Sequence, residues 1–141
     1  MQVQPYLLFD ARCEEALDFY RGTLGAEVTI LILFKDSPEP LAPSMVPPGS
    51  EHKVMHASFR VGEATLLASD GRCLGEPNFQ GISLTLTIPN EDEADRLFAA
   101  LSDGGQVQMQ LTKTFFTSRF GTVADRFGVS WMIVVVPDAP T

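Results

Sequence analysis

A short acidic and apolar phrase occurs twice in this chain. Glu15-Ala16-Leu17-Asp18-Phe19-Tyr20 returns in altered form as Glu93-Ala94-Asp95-Arg96-Leu97-Phe98, about 78 residues on and so roughly half a chain away. A repeat on that scale requires two units of similar build, and the flanking segments agree. Val3 to Phe9 alternates Val3, Pro5, Leu7 and Phe9 against Gln4, Tyr6 and Leu8, a half-buried strand. Asp10 is placed to cap a helix over Cys13 to Leu24, whose apolar face is Cys13, Ala16, Leu17, Tyr20 and Leu24. Glu14 and Glu15 in the first turn suit the helix dipole, and Gly25 stops the helix. Val28 to Phe34, Val54 to Val61 and Ala64 to Ser69 read as strands, the last two joined through Gly62-Glu63. Each half therefore reads strand, helix, strand, strand, strand.

In the second half, Ile82 to Ile88 alternates Ile and Leu with Ser83, Thr85 and Thr87. Asn90 with Glu93 makes a capping-box start to a helix over Glu91 to Leu101, buried through Ala94, Leu97, Phe98 and Leu101. Gly104-Gly105 stops it, and Val107 to Leu111 is the next strand. Ser118 to Val123 and Val129 to Val136 close the half as a hairpin. Its turn is Asp125-Arg126-Phe127-Gly128, with Asp first and Gly last as a type I turn prefers. The continuous apolar run after that turn predicts a strand buried on both faces. Together these readings give an α+β chain, one domain of two βαβββ modules over about 1–72 and 80–141, with Asp70 to Gln80 as the linker. One helix would cover one face of each sheet, leaving the other faces to line a cleft.

Lys35 to Lys53 interrupts the pattern. It holds Pro38, Pro40, Pro43, Pro47 and Pro48, half of the ten prolines, and a loop this long is a lid, a partner contact or a mobile flap. The prolines deny it ladder hydrogen bonds, so more mobility is expected there than in either helix.

Charge narrows the function. A net charge of -8 repels the phosphates of nucleic acid and of an anionic membrane surface. No apolar run approaches the roughly 20 residues needed to span a bilayer, and Met1-Gln-Val-Gln-Pro does not open a signal peptide. The two cysteines, Cys13 and Cys73, fit reduced thiols, so a cytoplasmic protein is expected. Cys13 lies on the buried helix face and is expected to be inert; Cys73, in the linker, is expected to be the more reactive thiol.

Several side chains could carry chemistry on the cleft faces. His56 is the best catalytic candidate, since imidazole titrates near neutrality, although a structural histidine is the simpler reading. Asp70 is either its partner or a cap for the following turn. Arg60 could hold an anion by its fork or form a surface ion pair. Tyr6, His56, Arg60, Thr85, Phe116 and Trp131 are the expected ligand-binding set, although core is the simpler reading of Phe116 and Trp131.

Pro5-Tyr-Leu-Leu-Phe-Asp, Glu14-Glu-Ala-Leu-Asp-Phe-Tyr, Met55-His-Ala-Ser-Phe-Arg-Val-Gly and Phe120-Gly-Thr-Val-Ala-Asp-Arg-Phe-Gly-Val-Ser-Trp together resemble the vicinal oxygen chelate superfamily of glyoxalases, bleomycin and fosfomycin resistance proteins and dioxygenases. Within it the chain is similar to the PhnB-like group, also labelled 3-demethylubiquinone methyltransferase-like. The resemblance implies a cup-shaped mixed sheet around a pocket, and a homodimer. Exposed sheet edges argue for a second copy as well. Metal enzymes of the superfamily carry His, Glu or Gln on the first strand of each half and on a last strand. Those positions here hold Tyr6 and Leu8, then Ser83, Thr85 and Thr87, then Trp131, Met132, Ile133 and Val134. None is a good ligand, so no metal and no other cofactor are expected, a divalent ion on unusual ligands being the exception. The methyltransferase label would need a glycine-rich strand-to-helix turn for a nucleotide-like cofactor, and Gly104-Gly105 instead follows a helix. Three readings result: a protein that binds a small molecule between the modules without metal; a divalent-metal lyase, isomerase or dioxygenase; or a non-catalytic interaction protein. Whether there is catalysis, and on what ligand, is left open by the sequence.

Overall fold

The computed structural model describes residues 1–38 and 46–136 and divides into two compact units, Met1–Asn78 and Phe79–Thr141. The expected βαβββ order is present in both.

In the first unit the elements are β1 (Tyr6–Leu8), α1 (Cys13–Leu24), β2 (Glu27–Leu33), β3 (Val54–Val61) and β4 (Ala64–Ser69), in a sheet of order β1-β4-β3-β2. β1 runs parallel to β4, and the other pairings are antiparallel. β1 is shorter than the alternation from Val3 predicts, because Pro5 has no N–H to give; its carbonyl still accepts from Leu67 N at 2.9 Å. The core forms where α1 turns Cys13, Ala16, Leu17 and Tyr20 toward Leu7, Phe9, Phe59, Leu66 and Ala68, all of them buried. Tyr20 stacks on Phe59 with ring centroids 5.9 Å apart. α1 ends at Gly25, whose φ of 66° is the left-handed cap expected of a glycine.

The start of α1 departs from expectation. Asp10 is not its cap: the N-cap is Arg12, which makes no side-chain cap bond. The work falls to Asp70, from the far end of β4. Its Oδ1 accepts from Ala11 N at 2.8 Å and Cys13 N at 2.7 Å, while Oδ2 accepts from Val54 N at 2.7 Å. Asp70 is therefore a buried strut tying α1 and β3 to β4, not part of a linker. The two units divide after Asn78.

The prolines Pro40 and Pro43 lie outside the described residues, as does the part of the expected mobile loop that contains them. Its two ends are pinned: Phe34 N bonds to Lys53 O and Lys35 N to Glu51 O, around a single turn of 3-10 helix at Phe34–Asp36.

The second unit holds β5 (Ser83–Ile88), α2 (Glu91–Ser102), β6 (Gln106–Thr112), β7 (Phe120–Ala124) and β8 (Ser130–Val135), in the order β5-β8-β7-β6, with β5 parallel to β8. Asn90 caps α2 by accepting from Glu93 N at 2.9 Å, and the buried face is the expected Ala94, Leu97, Phe98 and Leu101. Gly121 lets α2 sit close, since a Cβ there would come within 2.9 Å of the Phe98 ring and of Leu111 Cα. The β7–β8 turn forms as expected, with Gly128 N bonded to Asp125 O at 2.9 Å. β8 is not buried on both faces. Trp131, Ile133 and Val135 are buried, and Ser130, Met132 and Val134 are only half-buried.

Candidate functional site

Strand register fixes which side chains share the face of the first sheet that α1 does not cover. Tyr6 lies beside Leu67, Leu67 beside Ser58, and Ser58 beside Ile30. Leu8 neighbours Ser69, His56 neighbours Ile32, and Arg60 lies between Thr65 and Glu27. Alternation along each strand sets this group opposite the core residues Leu7, Phe59, Leu66 and Ala68. The face is thus a row of polar groups on β3, bordered by aliphatic ones.

Two of the expected site residues meet here. The Tyr6 hydroxyl and His56 Nδ1 are hydrogen-bonded at 2.9 Å, with ring centroids 5.7 Å apart. Burial raises the pKa of the phenol, and the nearby Ser69 hydroxyl pulls it partly back, so Tyr6 is a proton donor at neutral pH rather than a phenolate. The partner of His56 is therefore Tyr6 and not Asp70, both of whose oxygens are engaged by backbone N–H groups. Arg60 is exposed on the same face. Arg119 and Arg126 pair with Asp95 and Asp103, but Arg60 has no ion pair or hydrogen bond among the described residues.

The other candidates belong to the second unit. Thr85 is exposed on the face of β5 and β8 that carries Ser83, Ser130 and Met132; its hydroxyl lies 3.8 Å from Met132 Sδ. Phe116 is 41% exposed and packs edge-on against Phe120 and Phe115. Trp131 does not share the Thr85 face. It pairs with Leu84 and Val123 on the core side, is 2% exposed, and donates its indole N–H to Asp125 Oδ2 at 2.9 Å. Asp125 also accepts from Phe127 N and Val129 N, so this turn residue doubles as a core anchor.

Neither thiol is activated. Both cysteines are free, and burial raises the pKa of each, Cys13 far more than Cys73. Cys73, expected to be the more reactive, should be alkylated by iodoacetamide at pH 8 more slowly than a free thiol in water, with the difference vanishing in urea. A native rate above the free-thiol rate would contradict that environment.

The family model described as 3-demethylubiquinone-9 3-methyltransferase matches residues 1–134. The chain belongs to this PhnB-like family. A crystal structure of protein PA1353 from Pseudomonas aeruginosa is 40% identical, with a TM-score of 0.83 over 98% of this chain and 99% of that one. The PhnB protein from Bacillus cereus is 26% identical, with a TM-score of 0.79 over 96% and 100%. The fosfomycin resistance protein FosX from Listeria monocytogenes shares the fold at 10% identity, with a TM-score of 0.65 over 98% and 94%. The PhnB-like chain therefore has the glyoxalase/bleomycin-resistance fold.

The superfamily's divalent ion does not fit the side chains found here. Among the described residues no three His, Cys, Asp or Glu side chains converge as ligands, and the strand positions that would supply them hold Tyr6, Leu8, Thr85 and Met132. A nucleotide-like cofactor fits no better. No glycine-rich turn leads from a strand into α1 or α2, and the start of each helix is already served by Asp70 or Asn90. No helix is long and apolar enough to cross a membrane among the described residues.

Proposed function

We propose that this PhnB-like protein binds a small molecule on the open face of its first sheet, without the superfamily's usual metal. The observation that carries the reading is the hydrogen-bonded Tyr6–His56 pair on the sheet face that α1 does not cover, which also presents the Arg60 guanidinium, unpaired among the described residues. Small-ligand sites combine apolar walls with a few directed polar groups, and here Leu8, Ile30 and Leu67 supply the walls. An anionic group would meet Arg60 while its carbon frame lies on the aliphatic residues.

Calorimetry with a panel of small anions and neutral aromatics, on metal-free and metal-supplemented protein, tests this. Arg60→Ala should weaken an anion by about 1.5 kcal/mol, roughly tenfold, the low end for a charged hydrogen bond because Arg60 is exposed. A neutral ligand should be little affected. His56→Gln should weaken both. Binding that depends on added zinc, nickel, manganese or iron, or that neither substitution alters, would refute the assignment.

A further inference from the structure

We infer that the Tyr6 phenol holds the His56 ring with its proton on Nε2, so that His56, Ser58 and Arg60 present hydrogen-bond donors in a row along β3 and select an extended ligand with acceptors at both ends and an aliphatic middle. This inference rests on the binding reading above and names the class of ligand.

The tautomer follows from what each group can do. With burial keeping the phenol protonated, its O–H is free to donate into Nδ1 at 2.9 Å, which places the proton of a neutral imidazole on Nε2. If the ring is cationic, Nδ1–H donates to the phenol oxygen instead, and Nε2 still carries a proton. In both of these states the far nitrogen is a donor; only a neutral ring protonated on Nδ1, donating to the phenol oxygen, would leave it bare. The Ser69 hydroxyl supports this arrangement from beside the phenol: it accepts from Gly71 N at 2.8 Å, so its oxygen is already serving another donor.

Ser58 is the second group. It is only 6% exposed, and its hydroxyl has no hydrogen-bond partner among the described residues. Yet no fully buried side-chain nitrogen or oxygen is without a partner there. The small exposure that Ser58 retains therefore includes its hydroxyl, which opens onto the same face, between Leu67 and Ile30. Arg60 is the third group and brings a fixed positive charge.

Spacing then sets the length of the ligand. Alternate residues on a strand stand about 6.6 Å apart, so His56 and Arg60 are separated by roughly 13 Å along β3. A compact anion cannot satisfy both ends. Ile30, 46% exposed beside Ser58, and Leu8, 48% exposed, offer aliphatic surface for a hydrocarbon spacer. An α,ω-dicarboxylate, or a carboxylate with a terminal phosphonate, has this pattern. Glu27, level with Arg60 on β2, is an acidic neighbour at that end and limits the anion's affinity.

The test combines nitrogen NMR of His56 with calorimetry on succinate, adipate, suberate and the corresponding diamines. The His56 signals of the parent protein should report a protonated Nε2 and an unprotonated Nδ1 at a pH where the ring is neutral. Affinity should rise at least tenfold from succinate to suberate. Tyr6→Phe should mix the tautomers and weaken suberate three- to tenfold. His56→Gln should also weaken suberate, and serves if Tyr6→Phe fails to fold. A ring protonated on Nδ1, equal binding of diamines, or no dependence on chain length would overturn the inference. Should some other small molecule bind and be lost in His56→Gln while the dicarboxylates do not bind, the binding reading would stand and this one would fall.

Discussion

Replacing Asp70 with alanine should lower the unfolding free energy by on the order of 4 kcal/mol, read as a fall in the urea midpoint at unchanged slope. Three backbone donors, on Ala11, Cys13 and Val54, would lose their only side-chain acceptor, and the residue that serves them is 1% exposed. Water cannot readily take its place, so each N–H bears a desolvation cost. Asp70→Asn retains one carbonyl oxygen and should cost about half as much. A loss below about 1 kcal/mol in the alanine variant would mean that Asp70 is not the strut described.

Gly105→Ala should be comparably damaging, and for a different reason. A Cβ at Gly105 would stand 2.2 Å from Ala124 O and 3.0 Å from the Asp125 backbone. Those atoms belong to the start of the β6–β7 ladder, where Gln106 pairs with Ala124, so relief requires the strands to part. The expected cost is about 3 kcal/mol. Gly104→Ala is the control. Its φ of 76° is strained for alanine, but the nearest contact is the Arg126 side chain, which can swing away. A cost of about 1 kcal/mol is expected there. Equal effects of the two substitutions, in parallel urea titrations, would refute the steric account. Side by side, the variants also separate the two jobs of the Gly104-Gly105 pair: one glycine ends the helix, and the other lets a strand come close.

Most of the fold was legible because the sequence is consistent at each level. The helical period gave both buried faces of α1 and α2 almost residue for residue, and alternation gave β3 and β4 their bounds. Alternation also placed His56, Ser58 and Arg60 on one face. Periodicity fails where contacts are remote. Asp70 and the helix start it serves are 57 and 59 residues apart, and no local pattern announces such a bond. The Tyr6–His56 contact needed the parallel joining of β1 to β4, which brings the first strand near the third across a neighbour. Alternation could not decide between wall and core for Trp131. The run from Val129 to Val136 is apolar at almost every position, so only the register set by the Asp125–Gly128 turn decides which side chains face α2. A slip of one residue would have exchanged Trp131 for Met132.

The parallel pairing has a consequence for how the protein is made. In each unit the first strand is held by the last: β1 by β4, and β5 by β8. A ribosome releasing the chain from its N-terminus delivers β1 long before it has anything to pair with. The hairpin of β3 and β4 can close locally as it emerges, but Tyr6 must wait until Leu67 has left the exit tunnel. A shorter delay, of 47 residues, separates Ser83 from Ser130. Each unit is therefore committed late in its own synthesis, and a chain truncated within β4 or β8 loses two strands from its sheet rather than one.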